Sequence, residues 1–305
     1  MKNTLFFTKV FNLEDSIKLY KEFQKMNKKD KLIFDFSNAT FVYANFTALF
    51  GALIDSCDKF EIILPKDEKV KSVLSKNNFF PNFLKDVKKL RDKSNSVIHY
   101  ENFGLKDIEK QYEFSKKLLL ENLLEKKGVT NLSQKALKEV SKSILELFEN
   151  ARQHSKSDKG IYIAGQFFPK KGKFDFTIVD LGVGIRHNVN DFLKETKSGS
   201  DSIKWAIQRQ NSTNKDNPRG LGLALLKELI MKSNGKIEIL SDNGLYSLIH
   251  KEEIFKDLDF NFNGALINIE FNIEKDKKYF LKGETNHEDW CIKYNRQRVS
   301  YICRW

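Results

Sequence analysis

A chain of 305 residues has room for roughly two domains that each bury their own core. With 40% hydrophobic residues, 12% aromatic residues and four prolines it is too apolar for a disordered chain, and no run of about 18 apolar residues marks a membrane span. The formal net charge is +12, but the excess is lysine spread over predicted helix surfaces without a basic run of five or more, so solvated surface charge is preferred over nucleic-acid binding.

The N-terminus lacks the apolar core and small-residue cleavage site of a secretory signal. Cys57, Cys291 and Cys303 have no metal or redox spacing and are too few for a disulfide framework, so a cytoplasmic protein is expected. Residues 3–10 read as a strand, and 13–27 as a helix with Leu13, Ile17, Leu19, Tyr20 and Phe23 as its apolar positions. Lys31–Phe36 is a short apolar strand ended by Ser37-Asn38, Asn45–Cys57 a helix, and Phe60–Leu64 a buried strand stopped by Pro65. A helix over 67–77 and a strand near 96–100 complete this first unit. The alternation of strands and helices predicts an α/β domain over 1–104.

Leu32-Ile33-Phe34-Asp35-Phe36-Ser37-Asn38-Ala39-Thr40-Phe41-Val42 matches the strand-then-turn pattern of the STAS-type domain, the fold of bacterial anti-sigma-factor antagonists, which this region resembles. In that family a phosphorylatable serine opens the following helix. Here Tyr43-Ala44-Asn45-Phe46 stands in its place and Thr47 is out of register. The resemblance therefore implies an interaction or structural module without the phospho-switch.

Residues 107–126 form a charged amphipathic helix stopped by Gly128, giving a linker over 105–132. Such a helix can join the two units, carry a homodimer contact, or pack on its own domain. Ser133 is an N-cap for the next helix, whose apolar Leu137, Val140, Ile144, Leu147, Phe148 and Ala151 recur at three- and four-residue steps. Strands follow over Gly160–Phe168 and Lys173–Asp180, with a turn over Pro169–Gly172. The stretch 186–219 is polar with a helix-like centre at 202–210. Leu221–Met231 reads as a helix opened by a glycine turn, and 235–240, 245–250 and 266–273 finish as strands. In the tail, 274–305, Trp290, Tyr294, Tyr301 and Trp305 alternate with Lys293, Arg296, Arg298 and Arg304, a pattern to which no function is assigned.

Three groups in the second unit carry chemistry. Glu146 and Asn150 stand at i and i+4 on one helix face. An amide oxygen suits hydrated magnesium bridging to phosphates, and a carboxylate one turn earlier can orient a water or take its proton. Asp180 ends an apolar strand and enters the turn of Gly182 and Gly184, where a carboxylate can accept from the exocyclic amine of adenine. Gly220-Leu221-Gly222 precedes a helix, where backbone N–H groups favour phosphate. Taken singly, each has a plain reading as a solvent-facing pair, a capping Asp-x-Gly turn, or a lone Gly-x-Gly. In this order and at these intervals, Glu146…Asn150, Asp180-x-Gly182-x-Gly184 and Gly220-x-Gly222 resemble the GHKL superfamily, which includes gyrase, histidine kinases and mismatch-repair ATPases.

That resemblance covers 133–273. It implies a Bergerat-type α/β sandwich with one mixed sheet covered by helices, and binding of ATP with Mg2+. Glu146 would be the base, Asn150 the magnesium ligand and Asp180 the adenine contact. Gly182 and Gly184 would shape the adenine wall, and Arg219, Gly220, Leu221, Gly222 and Leu223 would hold phosphates. The stretch 186–219 would be the ATP lid. His154 completes an Asn-Ala-x-x-His pattern seen in histidine-kinase-like and anti-sigma kinase members, which places it near phosphate. A later Gly-Thr element of the family is here Gly264-Ala265, without the hydroxyl. The expected activity is a regulatory ATPase acting on a protein partner. A protein kinase of the anti-sigma-factor type and a non-hydrolysing nucleotide sensor are the alternatives.

Overall fold

The computed structural model describes residues 3–94, 96–104, 106–117, 133–168, 170–208, 211 and 222–272. It is an α+β structure with one parallel sheet, one antiparallel sheet and a two-stranded parallel ribbon. Among the described residues no helix is long and apolar enough to cross a membrane. The tail over 274–305, residues 118–132 of the expected linker and residues 219–221, expected to hold phosphates, lie outside the described residues.

The N-terminal part runs β1 (Thr4–Phe6), β2 (Lys9–Val10), α1 (Leu13–Gln24), β3 (Lys31–Asp35), β4 (Phe41–Val42), a 3-10 turn (Ala44–Phe46), α2 (Thr47–Asp55), β5 (Lys59–Ile63), α3 (Glu68–Lys76) and α4 (Phe79–Phe83). The caps explain the helix starts. Asn12 accepts from the Asp15 amide and Asp67 from the amides of Lys69 and Val70. β1, β3 and β5 form a parallel sheet in the order β1-β3-β5, as short apolar strands joined through helices are expected to do. The helix expected over 45–57 is α2 preceded by the 3-10 turn. Nearly every α2 side chain is buried, so no amphipathic stripe sets its bounds.

The second part runs β6 (Val97–Phe103), α5 (Ile108–Lys117), α6 (Gln134–His154), β7 (Ile161–Phe168), β8 (Lys173–Asp180), α7 (Gly184–Leu193), α8 (Gly199–Ala206), α9 (Gly222–Ser233), β9 (Lys236–Ile249) and β10 (Glu252–Asn272). Its sheet has the order β6-β7-β8-β10-β9. The strand read from the sequence as finishing the first unit is thus the edge strand of the second, hydrogen-bonded to β7. The sheet implied to be mixed is antiparallel at every pairing. β8 and β9 run in the same direction, but the hairpin that follows β9 inserts β10 between them.

Each face of this sheet is buried against a different partner. One face carries Ile161, Ile163, Phe174, Phe176, Ile178, Ile237, Ile239 and Ile269 in a core shared with Val140, Ile144, Leu147 and Phe148 of α6 and Leu226, Leu229 and Ile230 of α9. The other face places Tyr162, Ala164, Val179, Leu240 and Leu266 in the core of the N-terminal part, where α2 lies across β7 and β8. The period of two along each strand assigns alternate residues to the two cores.

A polar network sits inside this second contact. Asn45 donates from Nδ2 to Thr177 Oγ1 and to Asn268 Oδ1, each at 3.0 Å. Asn268 donates to Glu238 at 2.9 Å, and Glu238 pairs with Lys236 at 3.0 Å. The Ala44 amide donates to Gln166 at 2.8 Å. Further along β10, the Asn263 amide donates to the Tyr20 hydroxyl at 2.9 Å and Asp259 pairs with Lys21 at 2.9 Å, holding α1.

Candidate functional site

Two loops and three helices close over the α6 face of the sheet to form one open cavity. Its empty volume, open solvent at the mouth included, is about 990 Å³. Glu146, Leu147, Asn150 and Ala151 of α6 form one wall. Ile178 and Asp180 of β8 with Ala265 and Ile267 of β10 form the floor. Gly184, Ile185, Asn188 and Val189 of α7 and Trp205 and Ala206 of α8 stand opposite.

The helix repeat sets the first wall. Ile144, Leu147 and Phe148 anchor α6 to the sheet, which turns the Glu146–Asn150 edge toward the cavity. Glu149, on the same turn, is taken by Arg152 at 2.7 Å and by Gln153 at 3.0 Å. The carboxylate and amide that face the cavity are therefore Glu146 and Asn150.

Asp180 is the last residue of β8 and is 6% exposed. Burial pushes its carboxyl up to about 7, against hydrogen bonds from the backbone amides of Gly182 and Ala265. The Gly182 amide lies 3.0 Å from Asp180 Oδ1. A carboxyl so poised is a strong hydrogen-bonding group for a ligand that offers a donor.

The glycines around it have separate structural reasons. Gly184 has φ +82° and its Cα faces the Asp242 carboxylate, so a side chain there meets both strain and a clash. Gly182 faces the Ser155 carbonyl, where the Val183 amide donates at 2.7 Å. Gly184 lines the cavity and Gly182 does not; Gly182 instead lets the loop after β8 approach the end of α6. Gly264, at φ +88°, packs on the Asp180 backbone.

α7 is held by strand β9. The Ile185 amide donates to Ser241 Oγ at 2.8 Å and the Arg186 amide to Asp242 Oδ2 at 3.0 Å. These bonds satisfy the second and third amides of α7. Asn188 donates to the Gly184 carbonyl at 2.9 Å. Trp205 packs on Phe192 with centroids 5.8 Å apart, and its carbonyl accepts from Asn211 at 2.9 Å.

Of the residues singled out from the sequence, Glu146, Asn150, Asp180 and Gly184 converge on this cavity. His154 is the last residue of α6, and its side chain lies outside the described residues, as do Arg219, Gly220 and Leu221. Gly222 and Leu223 open α9, described there through their backbone alone. The polar stretch 186–219 holds two helices where one was expected, and α8 starts at Gly199, capped by Ser198, three residues before the expected centre. Asn188, Trp205 and the floor residues Ala265 and Ile267 were not read as site residues. The spacing of Ile185, Val189 and Phe192 is the signal that could have placed α7. No protein-family model matches the chain, and no curated protein matches its sequence.

Proposed function

We propose that the cavity binds ATP with magnesium and that the chain is a regulatory ATP-binding protein of GHKL type, with a Bergerat-type second unit and a STAS-like first unit. The observation that supports this reading is the meeting of Glu146, Asn150, Asp180 and Gly184, drawn from three separate elements, in one cavity. The buried Asp180 suits the exocyclic amine of adenine, between apolar Ile178, Ala265 and Ile267. Asn150 suits magnesium. Among the described residues no group of three or more His, Cys, Asp or Glu could cage a metal ion, and magnesium held mainly by nucleotide phosphates needs only one or two protein ligands. When bound, the ion neutralises phosphate charge. Glu146, one turn from Asn150, holds or accepts a proton of water for slow hydrolysis.

The regulatory part rests on β8 and β10. Ile178, Asp180, Ala265 and Ile267 line the cavity, while their neighbours Thr177, Val179, Leu266 and Asn268 meet the N-terminal part. Nucleotide occupancy and the placement of that part, or of a protein bound to it, then act on the same strands. Thr47 is buried, its hydroxyl lying 2.6 Å from the Ala44 carbonyl and 3.0 Å from Asn77 Oδ1. Thr47 is therefore not placed to accept a phosphoryl group. Titration calorimetry with ATP, with and without magnesium, tests the binding. Phosphate release by Glu146→Ala tests hydrolysis: bound ATP with no release is expected, and turnover equal to the unchanged protein would sink the role of Glu146.

A further inference from the structure

At the seam between the two parts, on the surface, four aromatic rings form a continuous row. Phe11 and Phe41 have ring centroids 6.3 Å apart, Phe41 and Tyr43 5.1 Å, and Tyr43 and Phe168 4.7 Å. Phe11 is 46% exposed and Phe41 43%. Phe41 follows from the parallel pairing of β2 with β4, in which Lys9 is its register partner. Phe168 ends β7. Lys171 stands 5.9 Å from the Phe168 ring, and Lys173 stands 5.4 Å from that of Tyr43.

The charges around the row are unbalanced. Lys173 is engaged inside the structure, at 2.6 Å from Glu270 and 3.4 Å from Asp175. Asp15, beside Phe11, accepts from the Phe11 amide at 3.3 Å. Exposed Lys9, Lys170 and Lys171 form no ion pair among the described residues. An apolar strip with unpaired cations along its edge is complementary to a strip of opposite pattern.

We infer that this row is a docking surface for an acidic protein segment whose apolar side chains cover the rings while its carboxylates meet Lys9, Lys170 and Lys171. Three features select that occupant. Neighbouring rings along the row meet at 73°, 61° and 52°, so the first two pairs pack edge to face, the third is tilted, and none offers parallel platforms for successive bases. Phe11 and Phe41 are each more than half covered, so they form a flat strip and do not project as membrane-inserting side chains. A second copy would bring an identical lysine edge, on a chain of net charge +12, against the first. Because the row takes Phe11, Phe41 and Tyr43 from one part and Phe168 from the other, its occupant contacts both parts at once and binds the docked arrangement.

The test uses the full chain and a fluorescein-labelled synthetic peptide of alternating glutamate and leucine, followed by anisotropy. Phe11→Ser with Phe41→Ser removes the apolar strip, and Lys9→Glu with Lys171→Glu reverses the edge at exposed positions that leave the fold intact. Each pair is expected to weaken peptide binding about tenfold or more, and added salt to weaken it in the unchanged protein. A peptide with lysine in place of glutamate is expected not to bind. Absent binding of the glutamate peptide, or equal affinity in the lysine-reversed variant, overturns the inference. So does binding of oligothymidylate or phosphatidylserine vesicles that is lost in these variants while the peptide is ignored, or a dimer in sedimentation that both variants dissolve.

Discussion

Asp180→Asn separates the two things the buried carboxyl does. Asp180 titrates near 7 in the folded chain because burial disfavours its charge; in the unfolded chain it titrates near its ordinary 3.8. Between those values the folded state holds a proton that the unfolded state has lost. The contribution of this group to stability is therefore fullest below pH 3.8 and declines as pH rises to about 7. The whole gap corresponds to about 4 kcal/mol at most, at about 1.4 kcal/mol per pH unit. Roughly two-thirds of it falls above pH 5. The cavity is open, and water at its mouth relieves part of the cost, which leaves about 1–2 kcal/mol between pH 5 and pH 8. Asparagine is neutral and keeps an oxygen for the Gly182 amide. In urea denaturation, Asp180→Asn is thus expected to gain stability over the unchanged chain as pH goes from 5 to 8, by that amount. In the same variant ATP affinity is expected to fall about tenfold or more, since the carboxylate proposed to accept from the adenine amine is gone. Parallel stability curves for the two proteins across this range would refute the reasoning about burial, and unchanged ATP affinity would refute the adenine assignment.

Other consequences can be checked with simpler measurements. Gly184→Ala forces a side chain into a left-handed backbone against Asp242, and thermal unfolding is expected to show a loss of about 1–3 kcal/mol. Asn45→Ala strips the donor that joins Thr177 and Asn268 across the seam; a loss of about 1–3 kcal/mol and faster proteolysis between the two parts are expected. Trp205 is the aromatic residue in the cavity wall, so ATP should change its emission in a chain with Trp290→Phe and Trp305→Phe, and Trp205→Phe should abolish that change.

The parts of the fold that were legible in the sequence are those fixed by local pattern. The β7–β8 hairpin falls within a residue of its expected bounds, because its apolar runs end in turn residues. α6 carries a single apolar stripe, and its register alone puts Glu146 and Asn150 on one edge. The parts that were not legible depend on distant contacts. β6 looks like the end of the first unit, yet its hydrogen-bonding partner β7 comes after two intervening helices. α7 reads as polar because Arg186, His187, Asn188, Asn190 and Asp191 crowd it, and its start is secured by Ser241 and Asp242, some 56 residues away. The start of β10, over 252–257, is largely exposed and shows no strand alternation; it is held by pairing with β9, whereas Leu258–Asn263 alternates apolar and polar residues, a strand signal that was present and not read. In the site, Asp180 was readable from its strand-end position. Trp205 was not, because only the packing of α8 against β9 brings it to the wall.

β8 has seven buried residues out of eight, and its two faces belong to different cores. A fragment beginning after residue 104 would lack β6, leaving the backbone edge of β7 open, and would uncover Tyr162, Ala164, Val179, Leu240 and Leu266 together. Such a fragment offers both an unpaired strand and an apolar sheet face, the two features that drive edge-to-edge and face-to-face aggregation. The second half of this chain is thus a poor candidate for expression or transplantation by itself, and the N-terminal half serves it as a cover.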